Sequence, residues 1–435
     1  MKLRPFELAL VVIFLLLMAA ALFLLKTYRP NDNNGQVQIG KVEVWGTLPK
    51  DGMEKIIQEK EQINETYRDV TYRQIEPSAF TNEFVNALAE GKGPDVLLLS
   101  SEQLVTLRSK LRPISYEAFP KRDIASQYVD GAQIFALFDG LYAYPLMLDP
   151  LMLYWNKDEL ARENILEAPA TWEALVNEYV PTLTKRASDR TIEKSAIALG
   201  EYENIRNAYS IVSALLLQAG SYGVTETEEG QYVIRLNESP DGFIQPLRVT
   251  TDFYTRFSRP DNTLYSWNRS FPSDRDRFVS GDLALYFGQG SEAHELERLN
   301  PNLSFDIAEI PQGAASTVRR TYANFYGLAL VRNSDNLPGA ALVLQELSAA
   351  VDQEKIAAAY NMVPALRSVV ARGSNDTYGR IMYKSAAIAF GWLSPARPAT
   401  DEILKNTMRD VLENRSDSNS AVNDALQLLE IEYNK

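Results

Sequence analysis

Residues 140–157, GLYAYPLMLDPLMLYWNK, form an apolar run with a single carboxylate, Asp149, in its middle and Pro145 and Pro150 around it. Tyr142, Tyr144, Tyr154 and Trp155 stand at the two ends. Proline has no N–H for a ladder and pushes the preceding residue toward an extended conformation. The run therefore reads as an extended segment that leaves one sheet, passes Asp149 and enters a second sheet near Leu151. A lone buried carboxylate is costly unless it is hydrogen-bonded or paired. An aspartate here marks either a lined cleft or a turn capped at Asp-Pro.

From Lys41 onward strands alternate with helices. KVEVWG reads as a strand and 51–65 as a helix with Met53, Ile56, Ile57 and Ile63 on one side. DVTYRQI is a second strand, Phe80, Phe84 and Leu88 recur at helical spacing, and Val96–Leu99 is a fully apolar strand. Such continuous runs suit buried parallel strands, and the order implies a doubly wound α/β sheet. Ligands in that architecture sit beyond the carboxyl ends of the strands, where Trp45, Gly46, Ser100 and Ser101 fall.

Further along, Thr171 is placed as a helix N-cap, SAIALG as a strand, and NAYSIVSALLLQAG as an apolar helix stopped by Gly220. Residues 223–237 read as a surface hairpin. Trp267 lies in a long loop, where it either serves a site or pins the loop by burial. In DLALYFGQGSEA, Gly288 and Gln289 end a strand just before a helix N-terminus. GQGSEA also matches a weak dinucleotide fingerprint, but it lies late in the chain rather than in an early βαβ unit, so no cofactor is expected. In YANFYGLALVRN, GLALV is an apolar strand preceded by Tyr322, Phe325 and Tyr326, with Asn324 among them. FGWLSPARP sets Trp392 beside two prolines.

Composition narrows the chemistry. The 435 residues are 46% hydrophobic and 23% charged, with a net charge of −13. This argues against a nucleic-acid partner, which needs a basic face. The absence of cysteine excludes disulfides, thiolate metal sites and a Cys nucleophile. The one histidine, His294, stands among Glu292, Glu295 and Glu297 and reads as a solvated surface residue, so no metal is expected. Residues 8–25 carry no charge, and 18 residues of helix span about 27 Å, close to the hydrocarbon thickness. The run continues past the Ala19–Ala21 cluster, which favours an uncleaved single-pass anchor over a signal peptide. Residues 1–7 then form a cytoplasmic tail, and 26–40 form a polar linker to an extracytoplasmic domain.

From Lys41 to near the C-terminus the chain resembles the extracellular solute-binding proteins of ABC importers, family 1, the group that includes maltose-binding protein. The resemblance is carried, in order, by VEVWG, LAEGKGPDVLLLS, AYPLMLDPLMLYWNKDEL with PATWEAL, FVSGDLALYFGQG, YANFYGLALVRNSDN and SNSAVNDAL. It implies a two-lobed periplasmic-binding-protein fold of type II-like form, with a hinge between the lobes. One lobe would comprise 41–146 plus 272–324, the other 147–271 plus 325–435. Asp149 would stand where sugar-binding relatives carry an acid that hydrogen-bonds ligand hydroxyls. Trp45 and Gly46 would match the first cleft edge, and Tyr326 and Gly327 the return crossing. A lipobox cysteine, usual in Gram-positive-type relatives, is missing here.

The expected function is that of a membrane-anchored receptor, not an enzyme, which closes on a sugar or oligosaccharide and delivers it to an ABC permease. Expected ligand contacts are Trp45, Gly46, Ser100, Ser101, Tyr144, Asp149, Tyr154, Trp267, Gly288, Gln289, Asn324, Tyr326, Gly327 and Trp392. Aromatic faces suit sugar rings, and carboxylates and amides suit hydroxyls. The alternatives are a sensory module for a signalling partner and a secreted glycoside hydrolase. The latter would need a second motif-placed acid beside Asp149.

Overall fold

The computed structural model describes residues 39–189 and 191–434. The apolar run at 8–25 and its flanks lie outside the described residues. Among the described residues no helix is long and apolar enough to cross a membrane.

The first strands follow the sequence pattern closely. β1 (Val42–Gly46) lies between β2 (Val70–Gln74) and β3 (Val96–Ser100), parallel to both, with α1 (Lys50–Ile63) and α2 (Phe80–Ala89) as the crossovers. Side chains alternate across this sheet as the period of two requires. Val42, Val44, Val96 and Leu98 face one apolar cluster, while Trp45, Leu97 and Leu99 face the other.

The opening run forms one long strand, β4 (Tyr144–Asn156). β5 (Ile192–Ile197), β6 (Leu283–Gln289), β7 (Phe305–Glu309) and β8 (Thr321–Val331) complete the larger strands. The sheet runs β2-β1-β3-β8-β4-β6-β5, with β7 also paired to β4. β4 has two sets of neighbours. Residues 144–150 pair with β8, whereas Leu151–Trp155 pair with β6 on one edge and Met152–Asn156 with β7 on the other. The expected crossing past Asp149 is a change of partners at Leu151 within one continuous sheet, not entry into a second sheet. Pro145 sits opposite a bulge between Tyr326 and Gly327, so its missing N–H falls where the ladder is already irregular.

The grouping of 272–324 with 41–146 is not what the pairing gives. β6 lies between β4 and β5, parallel to β5 and antiparallel to β4. In the other direction, α3 (Leu337–Leu347) and α4 (Ala350–Ala359) pack on the β1–β3 end of the sheet. Ala340, Val343, Leu344, Ile356 and Ala357 share a core there with Val42, Val44, Met53 and Ile56. The physical reason is β8. Its second half, Tyr326–Leu330, is antiparallel to β3, so the chain after it emerges beside α1.

Smaller expectations also hold. Thr171 Oγ1 caps its helix by accepting from the Ala174 N–H at 3.1 Å. The apolar helix α5 spans Ala208–Gln218 and ends at Gly220, whose φ of +84° is the left-handed stop. A two-stranded hairpin pairs Val224–Glu226 with Tyr232–Ile234. The final helices are α6 (Arg397–Leu412) and α7 (Ser418–Tyr433). α7 begins inside SDSNS, not after it, because Asp417 accepts from the Asn419 and Ser420 N–H groups.

Candidate functional site

Two strand ends build the site. β3 stops in a 3-10 turn, Ser101–Gln103, and the Gln103 Oε1 reaches back to accept from the Ser100 N–H at 2.9 Å. β6 stops in a matching turn, Gly290–Glu292, where Glu292 Oε1 accepts from the Gln289 N–H at 2.8 Å. Each turn carries an acid, Glu102 in one and Glu292 in the other. The crossing of β4 and β8 sets Asp149 and Asn324 directly opposite each other between these strands.

At the β6 end the polar groups are enclosed. Asp149 is 3% exposed. Its Oδ1 accepts from the Ser291 N–H at 3.0 Å and its Oδ2 from the Ser291 hydroxyl at 2.6 Å. Burial outweighs these bonds and, with Glu292 nearby, pushes its carboxyl up to about 7. Glu292 accepts from the Tyr286 hydroxyl at 2.6 Å and from Asn207 Nδ2 at 2.9 Å. Gln289 Nε2 donates to Ser210 Oγ at 2.9 Å, while its Oε1 is buried with no hydrogen-bond partner among the described residues.

At the β3 end the partners come from far along the chain. Glu102 is bound by the Arg397 guanidinium and accepts from the Tyr322 hydroxyl at 2.7 Å. Arg397 Nε also donates to Asp401 Oδ2 at 2.6 Å, and the guanidinium lies 3.6 Å from the Tyr209 ring centroid. The Tyr202 hydroxyl donates to Asp401 Oδ1 at 2.6 Å. Thr106 Oγ1 adds a second link, donating to the Pro395 carbonyl at 2.7 Å. Trp392 stacks on Tyr209 with centroids 5.7 Å apart, and its Nε1–H donates to Ser213 Oγ at 3.0 Å. Its other side borders a cavity of about 700 Å³, lined also by Phe390, Ile134, Leu217 and Tyr222. Lys121, Asp130 and Glu226 add charge to that lining.

The expected site residues divide into two groups. Asp149, Gln289, Asn324, Ser100 and Ser101 come together around the strand ends, and Trp392 stands beside them through Tyr209. Ser101 Oγ lies 3.4 Å from the Phe325 nitrogen, whose N–H donates to it. Ser100, Tyr144, Asn324 and Tyr326 are half-buried. Tyr144 stacks on Phe119, with centroids 5.4 Å apart. The second group is core. Trp45 is buried, with its Nε1–H on Glu43 Oε1 at 2.8 Å and Arg73 over its ring. Tyr154 is buried and donates to the Gln289 carbonyl at 2.6 Å. Trp267 is fully buried and donates to Asn204 Oδ1 at 3.0 Å, which pins its loop. Gly46, Gly288 and Gly327 are close-approach positions. A Cβ at Gly46 would meet Tyr72 Oη at 2.5 Å, at Gly288 the Tyr154 and Tyr286 rings at 2.7 Å, and at Gly327 the Ala143 Cβ at 2.9 Å.

Sequence reasoning did not select Glu102, Tyr202, Tyr209, Tyr322, Arg397 or Asp401. Two of them carried a usable signal. Glu102 lies two residues past the end of an apolar strand, and Arg397 sits in the SPARP stretch after Trp392. His294 is an exposed residue whose Nδ1 lies 3.1 Å from Glu297 Oε2.

No family model matches the chain, and no curated relative matches it. Solved structures do. The cyclo/maltodextrin-binding protein complexed with maltotetraose superposes with a TM-score of 0.71 at 16% identity, over 90% of this chain and 97% of that one. The sugar-binding protein MalE from the phytopathogen Xanthomonas citri gives 0.71 at 18%, over 90% and 97%. The GacH receptor of Streptomyces glaucescens, solved unliganded and in complex with acarbose, gives 0.67 at 17%, over 92% and 100%. At these identities the likeness shows the fold: the chain has the α/β periplasmic-binding-protein fold.

Proposed function

We propose that this chain is an extracytoplasmic solute-binding receptor that closes on a sugar or oligosaccharide. The observation that carries the proposal is the convergence of carboxylates, amides and aromatic rings at the carboxyl ends of β3 and β6, in a fold matched along its length by proteins solved with oligosaccharides bound. Polar groups of this kind fix hydroxyls, and tyrosine and tryptophan faces take the apolar sides of sugar rings. Ligand contact is assigned to Ser100, Tyr144, Asn324 and Tyr326, which keep open surface, and to Glu102, Tyr322 and Trp392. Asp149 supports them from behind, through Ser291.

Two lobes move about the β4–β8 crossing in this proposal. One gathers 41–146 with 327–364, and the other gathers 150–321 with 375–434. Strand pairing and the shared core of α1, α3 and α4 support this grouping. The apolar run at 8–25 serves as a single-pass anchor, and the closed form delivers its cargo to an ABC permease. A carboxylate-dependent hydrolase is disfavoured because it needs a free acid–base pair, and Asp149 and Glu102 are each already engaged.

The test is calorimetric titration and thermal shift with maltose, maltotriose, maltotetraose and a polyamine. A bound sugar is expected to raise the melting point, as any ligand selective for the folded state does, and to be recovered unchanged. A shift with the polyamine alone would reject the carbohydrate assignment. Trp392→Ala is expected to weaken sugar binding at least tenfold, and unchanged affinity would place the sugar elsewhere.

A further inference from the structure

The crevice between the two strand ends is not empty of charge. Arg397 comes from the start of α6, Glu102 from the turn after β3, and the two lie 295 residues apart in sequence. Between them they join the segment after β3 to the segment that carries Trp392. The guanidinium has a carboxylate on each side, Glu102 and Asp401, and a ring face, Tyr209, beneath it. The Tyr322 hydroxyl donates to the same Glu102 oxygen that Arg397 contacts, and the Tyr202 hydroxyl to the Asp401 oxygen that Arg397 leaves free. A planar cation between two acids and over an aromatic face is how such a crevice would hold a bound guanidinium compound. Here the chain supplies the cation itself. The guanidinium side chain keeps 27% of its surface exposed, while Glu102 keeps 14% and Tyr209 is buried beneath it.

We propose that Arg397 is a resident occupant of the crevice, a tethered guanidinium that latches the segment after β3 to the Trp392 segment and must be displaced before a solute can enter. This rests on the assignment of the crevice as a solute site that opens and closes. A solute that engages Glu102 and the Tyr209 face competes with Arg397 for the same atoms. Lysine cannot substitute fully, because a single ammonium point charge lacks the fork that reaches Glu102 and Asp401 together while stacking.

The test uses no sugar, so its result is independent of the carbohydrate assignment. The chain has no cysteine, so spin labels can be placed uniquely at Lys92→Cys and Glu430→Cys in the full-length chain. Their separation is then read by pulsed dipolar spectroscopy. With Arg397 intact a single narrow distance distribution is expected. In Arg397→Ala it should broaden toward longer distances, and 10 mM methylguanidine should narrow it again. Glu102→Gln, which preserves shape and keeps Arg397, should broaden it as well, with no rescue by methylguanidine. Arg397→Lys should fall between wild type and Arg397→Ala. If both Arg397→Ala and Glu102→Gln keep the wild-type distribution, Arg397 is no latch. If Arg397→Ala broadens but methylguanidine leaves it broad, lost packing rather than lost occupancy is the cause, and the proposal fails. Should Arg397→Ala not fold by circular dichroism, Glu102→Gln decides alone.

Discussion

The β3 and β6 ends are built to one plan and used differently. Each strand stops in a 3-10 turn, and in each a side chain three residues on reaches back to the last strand N–H. At the β6 end the acid of the turn, Glu292, is satisfied by neighbours on the adjoining α5 and β6, and Ser291 is tied to Asp149 on β4. At the β3 end the acid, Glu102, is satisfied by Arg397 from a distant and partly exposed segment. One end is held by groups close to it in the same packed unit, the other by Tyr322 and by a guanidinium from far along the chain, the one proposed above to give way to solute. The same local sequence device therefore serves as a brace in one place and a contact point in the other. The partner decides which.

That difference orders the expected effects. The largest belongs to the brace. Glu292→Ala leaves Tyr286, Asn207 and the Gln289 N–H without their buried acceptor and should cost about 3 kcal/mol in urea unfolding. A loss below 1 kcal/mol would mean that the β6 end is no more fixed than the β3 end.

The next concerns Asp149. Burial raises its carboxyl to about 7 in the fold, against roughly 4 in an unfolded chain. The folded state therefore holds the proton more tightly. The stabilisation is complete below about pH 4 and is lost as the pH rises through about 7. Between pH 5 and pH 8 the wild type should lose about 2 kcal/mol of stability from this group, and Asp149→Asn should flatten that part of the profile. Asp274, which burial also raises to about 7, supplies a second contribution. Asp274→Asn is the control that separates the two. An unflattened Asp149→Asn profile would remove Asp149 from the brace.

Glu102→Gln should cost about 1 kcal/mol, because Arg397 keeps its second carboxylate, Asp401, and its 27% exposed guanidinium stays partly screened. Raising the salt from 0.05 to 0.5 M should therefore weaken the wild type more than the variant, as read from urea midpoints. The smallest effect is expected for Ser100→Ala, within about 0.5 kcal/mol, since the side chain is half-buried and its hydroxyl makes only a 3.4 Å bond to Gln103 Oε1, whose shorter bond goes to the backbone N–H. A larger loss there would mean that the β3 turn is itself a brace.

Much of the fold was legible because it depends on local chemistry. The apolar run with prolines at 145 and 150 could be little else than an extended crossing, and it became a single strand with different partners on either side of Asp149. The glycine stop at 220 and the Thr171 cap follow from residue-specific backbone rules. What was not legible depends on which strand slots beside which. β6 inserts between β4 and β5, and β8 reaches back to β3, so the segments after them exchange sides relative to the expected grouping. Nothing in the hydrophobic period encodes that choice. The site was half legible for the same reason. Strand ends and the crossing could be located, which put Ser100, Asp149, Gln289 and Asn324 among the candidates. A pair such as Glu102 and Arg397 leaves no periodic trace across 295 residues. Trp45 and Trp267 show the limit from the other side: their type suggests stacking on a ligand, but only the fold shows that their rings face inward.

The length of β4 and β8 has a consequence for how the protein can be divided. β4 continues through both of its sets of neighbours, and β8 pairs with β4 on one edge and β3 on the other, so no cut within 144–156 or 321–331 separates the molecule cleanly. A fragment ending there would keep part of an apolar strand and lose the strands that cover its edge. Such an uncovered edge is a template for intermolecular β-pairing. Proteolytic nicking inside either strand is therefore a route to aggregation, whereas a nick in the 223–237 hairpin leaves both long strands paired.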